Sequence, residues 1–150
     1  MRTCASLLAL ALAGCGGATW PDDQFPPETE VAEVLFAKGG GGFRDTCEAI
    51  VVELTDSSAA RLMGMVQRRD DKPVVLPPKG WLSSPAPDEI SSANYFKAAF
   101  GGCNNEGKRP VGDLDGALDR PGAFYKIINH GEGIAIIVPR AKLAGFFYFG

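Results

Sequence analysis

His130 is the only histidine in this 150-residue chain, so any serine–histidine or cysteine–histidine pair and any multi-histidine metal site must include it. The residue lies in a glycine-rich stretch, residues 130–133, that predicts a hairpin turn. Side chains in such turns are usually exposed, so we expect His130 to be solvated rather than catalytic. Glu48 and Glu53 could do acid–base chemistry, but their spacing identifies no mechanism. We therefore assign no catalytic residue.

Residues 112–119 place acidic side chains at alternate positions beside a glycine, as calcium-binding loops do. Asp113 and Asp115 alternate, and Gly116 would supply the turn. The stretch departs from the EF-hand pattern, because a third acidic residue before the glycine and the closing glutamate are missing. Aspartate and glycine are also common in ordinary turns. We therefore expect no metal and no cofactor, and a calcium-binding module stays an alternative.

The first residues of the chain have the pattern of a secretory signal. Residues 1–3 carry one positive charge, and residues 4–13 form an apolar run of small and aliphatic residues. A membrane-spanning helix needs about 20 apolar residues, and this run supplies roughly half of that before Gly14 interrupts it. The run therefore predicts a signal sequence and not a membrane-spanning helix.

The end of this run, Leu12-Ala13-Gly14-Cys15, resembles the lipobox of bacterial lipoproteins, in which an aliphatic residue and two small residues precede a cysteine. The resemblance covers residues 1–15 only. It implies that residues 1–14 are a signal peptide, and that Cys15 carries a diacylglyceryl group and often a fatty acid such as palmitate. Two acyl chains suffice for stable membrane attachment. The alternative is an ordinary secretory signal in which Cys15 has no role.

The residues after Cys15 indicate where the domain would be held. Residues 15–27 would form the lipidated N-terminus and a linker rich in glycine and proline, so the domain would lie close to the membrane surface. If the host has two membranes, Gly16 favours the outer one, because lipoproteins held at the inner membrane often carry aspartate there. We expect a lipid-anchored protein of the bacterial cell envelope.

Length and charge limit what the rest of the chain can be. Removal of residues 1–14 would leave 136 residues, which is the size of one domain, and we place that domain at residues 28–150. Without Arg2, 14 basic residues stand against 18 acidic ones, a net charge of about −4. Because no segment is a basic run, we expect no nucleic-acid partner.

The lipoprotein resemblance also sorts the four cysteines. The resemblance implies that Cys4 is removed with the signal peptide and that Cys15 is lipidated. Cys47 and Cys103 would then remain in an oxidising compartment. We expect these two to form a disulfide bond. The alternatives are two separate buried thiols, or a redox pair that would lack a Cys-x-x-Cys motif.

Hydrophobic patterning predicts an α+β domain with a small antiparallel sheet of four to five strands, two to three helices and one disulfide bond. Residues 28–38 are interpreted as a helix, with a strand as the alternative, and the glycines at 39–42 as a connecting loop. A second helix would begin near Asp56 and bury Ala59, Leu62, Met63 and Val66, with Arg68 and Arg69 near its end. The third would span residues 88–100, and residues 104–122 would be a loop.

The strands are expected at residues 47–55, 74–76, 123–129, 134–138 and 143–149. The run of aromatic residues at 146–149 lacks alternation, which indicates burial on both faces or packing against a partner. From these observations we predict a non-catalytic domain that acts through protein or envelope-polymer contacts. The alternatives are a small envelope hydrolase that uses His130 and acidic residues, and a calcium-binding envelope module.

Overall fold

The computed structural model describes residues 19–41, 46–69, 72–75, 77–87, 100 and 109–150. The lipobox, Cys103 and most of the helix expected at residues 88–100 lie outside these ranges. The described elements, in chain order, are β1 (Val31–Gly41), β2 (Thr46–Leu54), α1 (Asp56–Met63), β3 (Val66–Arg69), β4 (Lys72–Val75), β5 (Leu82–Ser83), α2 (Arg109–Asp115), β6 (Phe124–Ile128), β7 (Gly133–Val138) and β8 (Leu143–Phe149).

Six of these strands form one sheet in the order β1-β2-β8-β7-β6-β5, and β3 pairs with β4 in a separate two-stranded sheet. Every pairing is antiparallel. The predicted α+β class with four to five strands is therefore wrong, because the described chain is mostly β and has two α-helices. The predicted pairing of Cys47 with Cys103 is not shown by the described residues, since Cys103 lies outside them.

The first strand was the main error in this prediction, because residues 28–38 were expected to form a helix. Val31, Val34 and Leu35 follow helical spacing, yet they lie in β1. The pairing of β1 with β2 shifts register between Val31 and Glu33 and again between Val34 and Phe36. Each irregularity breaks the alternation that normally identifies a strand. The glycines at 39–41 also pair with β2 and do not form the expected loop.

A helix also occupies part of the region expected to be a loop. Arg109–Asp115 forms α2, with Val111 and Leu114 buried. Leu118, in the turn after the helix, is also buried and packs in the same core cluster as these two residues. Proline at the second position, Pro110, is compatible with the first turn of a helix. The aspartates and glycines of this segment concealed the helical spacing.

Other expectations are confirmed. The structure contains the strand expected at residues 47–55, the hairpin of β6 and β7, and the final strand β8. Helix α1 also forms, but its N-cap is Thr55, whose Oγ1 accepts a hydrogen bond from the Ser58 amide at 3.1 Å. The helix ends at Met63, so Val66 and the two arginines at 68 and 69 belong to β3 instead.

Both faces of the six-stranded sheet are covered, which explains why β7 and β8 lack an alternating pattern. One face packs against α2 and Phe100, and the other packs against Leu62 of α1, Trp81 and Phe25. Trp20 stacks on Phe25 with ring centroids 4.1 Å apart, so the packed structure extends back to Trp20.

A glycine in the middle of β8 allows α2 to approach the sheet. A Cβ atom at Gly145 would lie 2.5 Å from Cδ1 of Leu114 and 2.9 Å from Cε2 of Phe147. Both of those side chains are fully buried. A larger residue at this position would therefore force the buried side chains of Leu114 and Phe147 to shift.

Hydrogen bonds tie the segment before β1 to the start of α1. The buried Ser58 hydroxyl donates to the carbonyl of Glu28 at 2.6 Å and accepts from the amide of Glu30 at 3.1 Å. At the surface, the Glu30 carboxylate lies 2.7 Å from Nη2 of Arg61 and accepts a hydrogen bond from Ser57 at 3.1 Å. We call this set of contacts the Glu30 tie.

Candidate functional site

His130 lies in the turn between β6 and β7, as the sequence predicted, within the short 3₁₀ helix Asn129–Gly131. Three consecutive residues have positive φ there: Asn129 at 45°, His130 at 59° and Gly131 at 113°. The imidazole is exposed, and no described residue forms a hydrogen bond or ion pair with it. Glu132, two residues on, instead accepts a hydrogen bond from the Tyr148 hydroxyl at 3.1 Å.

The paired carboxylates considered from sequence do not converge. Asp113 lies within α2, and Asp115 is the last residue of that helix. Two positions correspond to about 200° around the helix axis, so the two side chains project in different directions. Glu48 and Glu53 are five positions apart on β2, which places them on opposite faces of the strand. Within the described ranges, no group of three or more histidine, cysteine, aspartate or glutamate residues could hold a metal ion.

Of the cysteines assigned a role, only Cys47 lies in a described segment. It is half-buried in β2 and disulfide-bonded, but its partner lies outside the described residues. The pairing with Cys103 therefore stays a prediction. The lipidation of Cys15 also stays a prediction, because that residue lies outside the described ranges as well.

A surface pocket of about 250 Å³ lies where the end of α2 meets the connection between β7 and β8. Its apolar lining includes Ala117, Ala123 and Val138, and its charged lining consists of Arg120, Arg140 and Asp113. We call it the arginine pocket. The two arginines are 20 positions apart and follow no motif, so no signal in a single sequence could have paired them.

Ser84 positions the turn that carries Arg120. Its buried hydroxyl donates to the carbonyl of Arg120 at 2.6 Å and accepts from the amide of Ala123 at 2.8 Å. The Ser84 amide in turn donates to the Ala123 carbonyl at 2.9 Å. Gly122 completes the turn with φ of 116°, a conformation that side chains other than hydrogen rarely allow. These bonds fix the backbone on one side of the arginine pocket.

The charges of the pocket lining are not balanced. Arg120 donates weakly from Nε to the carbonyl of Gly116 at 3.4 Å, and no described acidic side chain forms an ion pair with Arg120 or Arg140. Asp113 lies 3.8 Å from Nε of Arg109, which is itself highly exposed. Two positive charges and one negative charge line the pocket, so it favours an anion.

Comparison with protein-family models, curated proteins and solved structures gives no match to this chain. Across the part of the chain that the structure describes, no helix is long and apolar enough to cross a membrane. A function for the protein therefore has to follow from the geometry and chemistry of its own residues.

The exposed edge of the sheet is the other surface that could bind a partner. Val34 and Leu35 on β1 are 50% and 41% exposed, and β1 has a sheet neighbour on one side only. The two register shifts in β1 disturb its outer backbone groups, a common protection against pairing with another strand. The opposite edge, β5, has only two residues. The arginine pocket is therefore the better candidate site.

Proposed function

We propose that the protein is a lipid-anchored lipoprotein of the bacterial cell envelope whose domain acts by binding and not by catalysis. The arginine pocket would be its contact with a protein or polymer of the envelope. The observation that carries this proposal is that one cavity contains both an apolar floor and two arginines. Neither arginine has an ion-pair partner among the described residues. Apolar pockets with a few convergent polar groups are typical ligand sites.

The position of the only histidine supports binding over hydrolysis at this pocket. Ala123 and Val138 lie at one end of the hairpin formed by β6 and β7, and His130 lies at the other. Five residues of strand separate the two ends, a distance of roughly 17 Å. An imidazole at that distance cannot transfer a proton to a ligand in the pocket.

The lipobox and the short segment after it support the anchoring part of the proposal. Five positions separate Cys15 from Trp20, where packing onto Phe25 begins. Even when fully extended, this segment spans at most about 18 Å. A lipidated Cys15 would therefore hold the domain against the membrane surface, and the glycine at position 16 favours the outer membrane if the host has two.

Replacement of the lipobox cysteine tests the anchor. Cys15→Ser should abolish incorporation of labelled palmitate and release the protein from membranes, because no other thiol lies at the lipobox. Cys4→Ser is the matched control and should retain both label and membrane attachment. Labelling that survives Cys15→Ser would contradict the anchor.

Complementation of a deletion strain tests binding against catalysis. The double variant Arg120→Gln/Arg140→Gln should fail to restore the wild-type phenotype, although immunoblots show normal protein levels. His130→Ala should complement fully. Full activity of the double arginine variant, or complete loss with His130→Ala in a folded protein, would overturn the proposal.

A further inference from the structure

We infer that the arginine pocket takes the C-terminal carboxylate of a peptide whose last side chain is small and apolar. This inference rests on the proposed function, because it names the ligand of the same pocket. Four features carry it: the charge of the lining, the donors that the arginines leave available, the apolar floor and the volume of the cavity.

The charge of the lining selects a carboxylate over a phosphate. Guanidinium groups bind both anions through paired N–H donors. A phosphate monoester, however, carries about −1.5 to −2 at neutral pH, and here it would meet the carboxylate of Asp113. The net charge of the lining is that of one cation, and it matches the single negative charge of a peptide terminus.

Both arginines have donors to spare for such a ligand. Arg120 uses only Nε in its weak bond to the Gly116 carbonyl, so its terminal nitrogens are not committed to that bond. Arg140 lies in the 3₁₀ turn Pro139–Ala141, whose first residue is buried. The neighbouring Lys142 is engaged with Asp56 at 2.5 Å, so Arg140 is the cation of this turn that has no described partner.

The floor and the volume of the pocket select the rest of the ligand. The side chains of Ala117, Ala123 and Val138 offer no hydrogen bonds to the hydroxyl groups of a sugar acid, which would lose their water without replacement. A methyl or isopropyl group meets no such penalty. The volume of about 250 Å³ lies just below the range of roughly 300–1,000 Å³ typical of drug-sized ligands, so only a terminal residue or two can enter.

Calorimetric titration of the mature lipidated protein in detergent tests this ligand with four probes. These are acetyl-Ala-Ala with a free carboxylate, the same dipeptide as its C-terminal amide, inorganic phosphate and glucuronate. The free acid should bind at least about tenfold more tightly than each other probe, since charge-assisted hydrogen bonds to the carboxylate are lost in the amide.

Pocket variants locate the binding. Arg120→Gln and Arg140→Gln should each weaken binding of the free acid by at least about tenfold. Lys79→Gln removes an exposed positive charge that does not line the pocket, and it should bind as the wild type does. Asp113→Asn should improve phosphate binding more than it improves binding of the dipeptide.

The outcomes separate this inference from the proposed function. Equal binding of the acid and the amide, or unchanged binding in both arginine variants, would overturn the carboxylate site. Tighter binding of phosphate or glucuronate that is lost in the arginine variants would overturn the peptide ligand and leave the pocket as a binding site. If none of the four probes binds at a concentration of about 10 mM, which would detect even a weak specific site, the inference is also overturned. The complementation test decides the proposed function independently of this result.

Discussion

Strands β8 and β1 lie in opposite environments within the same sheet. In β8, the four residues from Ala144 to Phe147 are buried, because the strand lies between β2 and β7 with both faces of the sheet covered. In β1, Val34 and Leu35 are exposed at the edge of the same sheet. A position at the edge of the sheet therefore leaves apolar side chains exposed that the central strand would bury.

The two strands are also held in different ways. The centre of the sheet is stabilised mainly by burial of apolar side chains, which contributes roughly 25 cal/mol for each Å² removed from water. The edge depends on pairing with β2 and on the Glu30 tie just before β1 begins. Mutations at the centre and at the edge should therefore have effects of different size and different pH dependence.

The largest effect is expected from truncation at the centre of the sheet. Ile136 of β7 is fully buried, so Ile136→Ala should lower the free energy of unfolding by about 2–5 kcal/mol. Leu35→Ala removes a comparable aliphatic side chain from the edge, where it is 41% exposed, and should cost less than about 1 kcal/mol.

Urea unfolding followed by tryptophan fluorescence measures both variants. Trp20 and Trp81 pack around Phe25 against the sheet, so they report on its integrity. Equal losses of stability in the two variants would show that the edge is as well packed as the centre. A changed urea dependence in either variant would instead indicate a change in the cooperativity of unfolding.

The same comparison explains which elements could be predicted from sequence. The buried strands β2, β7 and β8 have unbroken apolar runs, so they were recognised with nearly correct bounds. In β1, irregular pairing placed apolar residues at helical spacing, and the strand was mistaken for a helix. The strand β5 was missed because two residues have no detectable period.

The candidate site was less predictable than the fold. Its two arginines come together only because β7 and β8 return the chain beside the turn that follows α2. That helix was itself interpreted as a loop, since its aspartates and glycines are typical of turns. The residues that sequence analysis singled out, His130 and the paired carboxylates, are not gathered into one site by the described structure.

A smaller effect is expected from loss of the buried hydroxyl in the Glu30 tie. Ser58→Ala would leave the Glu28 carbonyl and the Glu30 amide without their partner, at a cost of about 1–3 kcal/mol. Ser57→Ala removes an exposed hydroxyl that donates a hydrogen bond to the Glu30 carboxylate. This variant should change the free energy of unfolding by less than about 0.5 kcal/mol. Urea titration of both variants at neutral pH makes the comparison. If Ser57→Ala lowers the free energy of unfolding more than Ser58→Ala does, the surface contacts of the Glu30 tie are the ones that stabilise the edge strand.

The smallest effect, and the one specific to the edge, is a dependence on acid pH. The hydrogen bond from Arg61 lowers the pKa of Glu30, and a bond from Ser57 adds to the effect. The hydrogen bond with Lys142 likewise lowers the pKa of Asp56 at the start of α1. A carboxyl group whose pKa is lower in the folded state stabilises the fold above its unfolded pKa, and that contribution is lost as the pH falls through the folded value.

Glu30→Gln should therefore reduce the loss of melting temperature between neutral and acid pH, because the variant has no carboxylate to protonate at this position. The change should be modest, since Glu30 and Arg61 are both exposed to solvent and the pair is screened. Glu33→Gln is the control, as Glu33 is exposed on β1 and has no described hydrogen bond or ion pair. Melting curves at several pH values between neutral and strongly acidic test the prediction. If the melting temperature depends on pH identically in Glu30→Gln and in the wild type, the ionised Glu30 tie does not stabilise the edge strand.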